Sequence, residues 1–124
     1  MKRKTVQRNA IQETFLTESR PMRVDEILQL GRKTVESLNQ ATVYRNLKTL
    51  VDDGWLKTIH HPKLGVFYER VDKKHHHYFH CHACDRLFDV PGCALHGKEP
   101  DLPGFVAERH EVFFFGVCPS CSHS

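Results

Sequence analysis

The spacing of apolar residues in the first half of the chain predicts three short helices. Their apolar positions recur at helical intervals: Val6, Ala10, Ile11 and Phe15 in the first, Val24, Ile27 and Leu28 in the second, Val43, Leu47, Leu50 and Val51 in the third. We expect the first helix to close at Arg20-Pro21 and the second at Gly31. The third should run from about Gln40 to Asp53, with Asn39 as its N-cap.

The third helix is predicted to be amphipathic. Its apolar stripe lies opposite small, hydroxyl-bearing and basic side chains, with an aromatic ring on the flank: Ala41, Thr42, Arg45, Lys48, Thr49 and Tyr44. Such a face suits a recognition helix in the major groove of DNA. An ordinary amphipathic helix with a solvated face fits the wheel equally well.

Two strands, at residues 55–60 and 66–70, are predicted after the helices, joined by a turn-rich segment. Three helices followed by a β-hairpin form a winged helix. Lys57 on the wing can lie along a phosphate backbone. His60 and His61 are interpreted as exposed polar residues of the wing tip.

The charge differs between the two halves of the chain. Residues 1–71 carry 13 Lys and Arg against 8 Asp and Glu, a net +5, whereas residues 72–124 carry 5 against 7, a net −2. A basic first half favours a nucleic-acid partner, although many solvated surfaces reach such a charge. No apolar run approaches the length of a membrane span, and the first residues do not resemble a signal peptide, so we expect a cytoplasmic protein.

All five cysteines and seven of the ten histidines lie between His75 and Cys121. In a reducing compartment, cysteines indicate metal binding rather than disulfides. Two C-x-x-C pairs have the spacing of a structural Zn²⁺ site with four thiolates: Cys81, Cys84, Cys118 and Cys121. Cys93 is left over. We interpret it as a packed free thiol, with an auxiliary ligand or a redox-sensitive group as alternatives.

The segments LNQATVYRNLKTLVDDGWL, HHHYFHCHAC and HEVFFFGVCPSC together resemble the ferric uptake regulator family of bacterial metal sensors. The resemblance implies an α+β fold: a winged helix-turn-helix DNA-binding domain over residues 1–70, a hinge over 71–74, and a small α/β metal-binding dimerisation domain over 75–124. It implies a homodimeric repressor of an operator in double-stranded DNA, with metal as corepressor and no enzymatic activity. It places Tyr44 and Arg45 at the DNA-contacting end of the recognition helix, and Arg8 near a phosphate.

The resemblance also implies roles for the histidines. It assigns a regulatory divalent metal to His75, His77, His96 and His110, and an extended strand would indeed point His75 and His77 to one face. Ligation by imidazoles alone favours Zn²⁺, with Fe²⁺ as the alternative. A second family site, at the hinge, would use Glu69 and His76. Its other two positions are Pro21 and Tyr78, which puts that site in doubt.

Two further features concern the dimerisation domain. The apolar run at residues 112–115 predicts a strand buried on both faces within a dimer sheet. The short segment 92–103, rich in Gly and Pro, leaves little room for the helix that the family usually has there.

Together these patterns predict a zinc-responsive repressor of metal-homeostasis genes. An iron-responsive or peroxide-responsive regulator of the same family is the alternative. A constitutive DNA-binding protein with purely structural zinc is the alternative from another class. A zinc hydrolase is disfavoured, because the sequence has no H-E-x-x-H motif beside its histidines.

Overall fold

The helices and strands lie within residues 3–95, 98 and 100–122, the part of the chain that this computed structural model describes. Their order is α1 (Arg3–Thr17), α2 (Val24–Gly31), α3 (Gln40–Asp52), β1 (Leu56–His61), β2 (Gly65–Arg70), β3 (His76–Cys81), β4 (Leu87–Pro91), β5 (Phe113–Gly116) and α4 (Pro119–Ser122). They divide into two units, Met1–Asp72 and Lys73–Ser124. The predicted α+β fold is confirmed. In the described residues, no helix is long and apolar enough to cross a membrane.

The first unit is built around one apolar core to which all three of its helices and its hairpin contribute. The buried side chains of this core are Ile11, Phe15, Met22, Ile27, Leu38, Val43, Leu47, Leu50, Leu56 and Tyr68. Each large apolar side chain removed from water contributes about 1.5–3 kcal/mol, so this core contributes much of the stability of the unit. Gly31 permits a close approach in this core, because a Cβ there would lie 2.7 Å from Cδ2 of Leu38.

Strands β1 and β2 form an antiparallel hairpin that is one residue longer at the turn than predicted, with His61 opposite Gly65. His61 corrects the sequence interpretation, because it is 4% exposed rather than a solvated tip residue. Its Nδ1 accepts hydrogen bonds from the backbone N–H groups of Lys63 and Leu64, each at 3.0 Å. The tight turn leaves these two donors without a strand partner, and the imidazole satisfies both. His60 is exposed, as expected.

The second unit contains a three-stranded sheet in the order β4-β3-β5. Strand β3 pairs antiparallel with β4 and parallel with β5, so the chain crosses over between β4 and β5. Tyr78 on β3 is buried and stacks on Phe113 of β5, with ring centroids 5.5 Å apart. Between β4 and β5 the described residues, 92–95, 98 and 100–112, contain no helix.

The strand predicted at residues 112–115 is present as β5, and its burial within a dimer sheet stays a prediction. Phe114 is 41% exposed and Phe115 is 59% exposed in the single chain. The reason for this exposure is the position of β5 at one edge of a small sheet, where β3 is its neighbour among the described strands. A short edge strand carrying exposed phenylalanines is an unusual surface for a chain that remains alone in water.

Candidate metal centres and the basic groove

The four cysteines of the C-x-x-C pairs converge at one end of the three-stranded sheet. Parallel pairing places Cys81, the last residue of β3, opposite Gly116, the last residue of β5, so both C-x-x-C turns begin at the same end. All four Sγ atoms lie within 4.8 Å of one another, and those of Cys84 and Cys118 are 4.0 Å apart. Zinc–thiolate bonds of about 2.3 Å in a tetrahedron separate the sulfurs by about 3.8 Å. The donor set therefore fits a structural metal.

The four-cysteine cluster contains thiols whose pKa values are shifted in opposite directions. Burial raises the pKa of Cys81, but hydrogen bonds from the backbone N–H groups of Cys118, Cys84 and Ala83 outweigh it and lower that pKa to about 6. The pKa of Cys121 is raised to about 12, chiefly because its thiol faces the sulfurs of Cys118 and Cys81. Burial raises the pKa of Cys84 as well. Four thiolates at this spacing need a cation between them, and a divalent metal would supply that charge.

A second cluster of donors lies elsewhere in the same unit. It joins the start of β3, the turn after β4 and the segment before β5, and its members are His75, His77, Cys93 and His110. Nε2 of His110 lies 3.2 Å from Nε2 of His75, and Sγ of Cys93 lies 3.1 Å from Nε2 of His77. Nitrogen ligands on a tetrahedral metal at about 2.0–2.1 Å are about 3.3 Å apart. The cluster therefore has the dimensions of a metal site.

His77 is the buried member of this cluster, with 1% of its surface exposed. Burial lowers its pKa, and the neighbouring histidines His75, His110 and His76 lower it further because like charges repel. The backbone N–H of Val112 donates to its Nδ1 at 3.1 Å, so the neutral ring has its proton on Nε2, facing Cys93. Coordination through Nε2 would shift that proton to Nδ1 and deprive Val112 of its acceptor.

The structure brings together three of the four histidines that were predicted to bind a regulatory metal. The fourth, His96, lies outside the described residues. Cys93 also lies in this cluster, although the sequence favoured a packed free thiol and gave an auxiliary ligand only as an alternative. Its sulfur is instead in contact with two imidazoles, His77 and His110, at 3.1 and 3.2 Å. The remaining histidines of the cluster region do not join it: His80 contacts Asp85 at 3.3 Å, and His82 is exposed.

The residues predicted for a hinge site belong to different units. Glu69, in the first unit, is fully buried and its Oε1 lies 3.4 Å from Nζ of Lys57. His76, in the second unit, lies 3.4 Å from a carboxylate oxygen of Asp89, and Nδ1 of its ring contacts the carbonyl oxygen of Lys74 at 2.7 Å. The hinge site itself stays a prediction.

A groove with three cationic side chains runs between α1 and α3. It is lined by Lys4, Gln7, Arg8, Arg45, Asn46 and Thr49. Nε of Arg8 donates to Oδ1 of Asn46 at 3.2 Å, and this fixes the guanidinium at the edge of α3. Tyr44 and Lys48 are exposed on the same helix, as predicted for a DNA-contacting face.

Thr42 was predicted to lie on the exposed face, and the structure corrects this. Thr42 is 5% exposed, and its Oγ1 accepts a hydrogen bond from Nη2 of Arg45 at 3.2 Å. The reason is that the buried face of α3 is partly polar: Asn46 lies on it too and donates to the carbonyl oxygen of Thr42 at 2.9 Å. A helical wheel that treats only apolar residues as buried places such polar positions on the solvent-exposed face.

A family model described as "Ferric uptake regulator family" matches residues 2–115 of the chain. The chain belongs to the ferric uptake regulator family. The predicted family is therefore confirmed, and its members are transcription regulators, so the chain is a regulator and not an enzyme.

Relatives within the ferric uptake regulator family differ in their names. The peroxide operon regulator of Bacillus subtilis is 27% identical over 95% of this chain and 83% of that protein. FurB of M. tuberculosis, described as a zinc uptake regulator, is 27% identical, covers 96% of this chain and 95% of its own, and superposes with a TM-score of 0.54. The ferric uptake regulator of Helicobacter pylori, 20% identical over 95% of this chain and 81% of its own, has the same fold with a TM-score of 0.69.

Proposed function

We propose that this chain is a homodimeric DNA-binding repressor whose affinity for its operator depends on a regulatory Zn²⁺ ion. The observation that carries the proposal is the presence of two separate donor clusters in the second unit. One consists only of cysteines, while the other brings together three histidines and Cys93 from three segments of the chain. A structural site and a sensory site require this division, because only the second must release its metal when the concentration falls.

The four-cysteine site would hold a Zn²⁺ ion that keeps the second unit folded. This unit is small and its sheet has three strands, so it buries few apolar side chains. Metal ligation supplies folding free energy in domains of this kind.

The regulatory site would be held by His75, His77 and His110, and His96 stays a predicted member. A neutral imidazole is the form that binds metal, and burial favours the neutral form of His77. If His77 held the metal through Nε2, its Nδ1 would carry the proton and could no longer accept the hydrogen bond from Val112. Because Val112 immediately precedes β5, this change would alter the start of the edge strand.

The edge strand β5 is the surface that we assign to the homodimer. It lies at one edge of the three-stranded sheet and exposes Phe114 and Phe115. Packing against a second copy would cover these aromatic rings. Because Phe114 and Phe115 are already partly buried, covering them contributes less per side chain than the roughly 1.5–3 kcal/mol of a fully exposed ring.

The basic groove and the exposed face of α3 would contact DNA. Arg8 and Lys48 can contact phosphates, while Tyr44 and Arg45 lie near the N-terminal end of α3, from which recognition helices reach base edges. Lys57 on the wing is half-exposed and can extend the phosphate contacts. Thr42 would act through Arg45, whose guanidinium it holds, rather than by touching a base.

The choice of Zn²⁺ rests on the donor atoms. The described members of the regulatory cluster offer nitrogen and sulfur and no carboxylate, and such ligands suit zinc better than Mn²⁺ or Fe²⁺. A relative named as a zinc uptake regulator supports this choice, whereas relatives named as peroxide regulators support iron or peroxide as the alternative signal.

The test is a titration of DNA binding with free zinc. Duplex DNA selected from a random pool by zinc-saturated protein serves as operator, and the variant is H75A/H110A. We expect the variant to lose the zinc dependence, because its site retains too few imidazoles. The matched control is H60A/H82A, which removes two exposed histidines outside the cluster. Zinc dependence that survives in H75A/H110A would refute the assignment.

A further inference from the structure

We infer that Cys93 supplies a thiolate ligand to the regulatory site, so that the centre is held by three imidazoles and one sulfur. The role of this centre as a sensor rests on the proposed function, but the ligand set does not. The Sγ atom lies 3.1 Å from Nε2 of His77 and 3.2 Å from Nε2 of His110. A thiol that only fills a gap in a core has carbon neighbours, whereas this sulfur faces two ring nitrogens.

The sheet delivers the four donors from three different segments. His77 lies on β3 opposite Val90 of β4, and the chain turns just beyond that pair. Gly92 adopts a φ of +79°, a conformation that favours glycine, and this turn precedes Cys93 directly. His110 approaches from the segment before β5, which pairs with the other side of β3. The backbone conformation of the turn at Gly92 therefore places the sulfur of Cys93 beside the ring nitrogens of His77 and His110.

Charge provides a second argument for the sulfur ligand. Three neutral imidazoles around a divalent ion would leave two positive charges beside the buried ring of His77. One thiolate reduces that charge to one and lowers the cost of removing the ion from water. The thiolate is also a soft ligand, and its presence disfavours Mn²⁺, which prefers oxygen, more strongly than imidazoles alone do. Cys93 would thus set the metal specificity of the site.

Cobalt spectroscopy tests the sulfur ligand without DNA. Protein carrying one equivalent of zinc in the four-cysteine site is titrated with Co²⁺, and sulfur-to-cobalt charge-transfer absorption is recorded in the near ultraviolet. We expect a new band in the wild type and none in C93S. The spectrum of C93S is subtracted from that of the wild type, which removes the absorption of any Co²⁺ that enters the four-cysteine site. Zinc affinity of C93S should fall by more than the roughly 10- to 100-fold that loss of an outer-shell partner costs.

Two further variants separate ligation from structural damage. A94S introduces the same side chain at the exposed neighbouring position and should keep the charge-transfer band. C93H replaces sulfur with nitrogen and should bind cobalt, seen in its visible absorption, without the charge-transfer band. A wild-type site that takes up no cobalt, or a band that is equal in wild type and C93S, overturns the inference. If the band depends on Cys93 but DNA binding does not depend on metal, the proposed function is wrong. The inferred ligand set would still hold in that case.

Discussion

The side chain of Asn46 links α1 to α3, the helix that we propose as the recognition helix. Its amide is 8% exposed, accepts a hydrogen bond from Nε of Arg8 and donates to the carbonyl oxygen of Thr42. Both ends of the amide are thereby satisfied, which fixes its orientation and in turn that of the arginine. Arg8 retains its terminal nitrogens for a phosphate. In this account Asn46 positions Arg8 and does not itself touch DNA.

This relation predicts a non-additive pair of substitutions. R8A should weaken binding to all duplexes alike and reduce the salt slope of binding by about one. N46A should weaken DNA binding in the wild type, and should add little in the R8A background, because the arginine it positions is gone. The measurement is a double-mutant cycle of DNA affinity, with thermal unfolding to check the fold. K33A is the matched control, since Lys33 is exposed and lies outside the groove. Additive effects of R8A and N46A would contradict this role.

Single residues differed in how far the sequence could predict them. The four-cysteine site was predictable because each C-x-x-C places its ligands locally. Thr42, His61 and Cys93 were not, because each depends on what another part of the chain brings to it. Cys93 meets His77 only because of the register of β3 with β4, and no periodicity in the sequence encodes that register.

Among the helices and strands, α3 has a side-chain cap at its N-terminal end. Oδ1 of Asn39 accepts a hydrogen bond from the backbone N–H of Thr42 at 2.9 Å, which satisfies one of the free donors at the helix start. The residues assigned to base contacts, Tyr44 and Arg45, lie in the turns that this cap secures. Loss of the cap would therefore affect stability and DNA binding together.

We predict that N39A lowers the free energy of unfolding by about 1 kcal/mol, the usual cost of losing such a cap. N39D keeps an acceptor at the same position and should retain most of that stability. Chemical denaturation of both variants measures the difference. If N39A were as stable as N39D, the side-chain cap would be unimportant in this protein.

The helices of the first unit were predicted well, because each has a repeating apolar stripe and a clear end. The predicted third helix differs from α3 by one residue at its C-terminal end, and its N-cap is confirmed. Strand β5 was predicted as a strand, and its burial within a dimer sheet stays a prediction. An apolar run predicts a buried strand, but it does not indicate whether the same chain or a second chain buries it.

On the scale of the whole molecule, the two units should respond differently to loss of the structural metal. The first unit has its own apolar core, whereas the second has a small sheet and the four-cysteine cluster. We predict that C121S loses the structural metal and unfolds the second unit while the first stays folded. Amide hydrogen exchange, read residue by residue, measures this directly. Exchange that rises equally in both units, or in neither, would contradict it, and C93S is the control that should keep the four-cysteine metal.

The overall organisation was accessible from the sequence through the contrast between a basic first half and a half rich in His and Cys. Family membership then followed from motifs that cover most of the chain, and it is confirmed. The signal that the protein senses was less accessible. In our proposal that signal depends on which donor atoms meet in the second cluster, and they come from three segments that the fold alone brings together.

The most direct measurement is the affinity of wild-type protein for its selected duplex at one and at two equivalents of bound zinc. The first equivalent should fill the four-cysteine site and leave DNA binding weak. The second should raise the affinity by roughly 5- to 150-fold, the range of ordinary allosteric coupling. Affinity that is the same with one and with two equivalents of zinc would contradict the account and identify a constitutive DNA-binding protein.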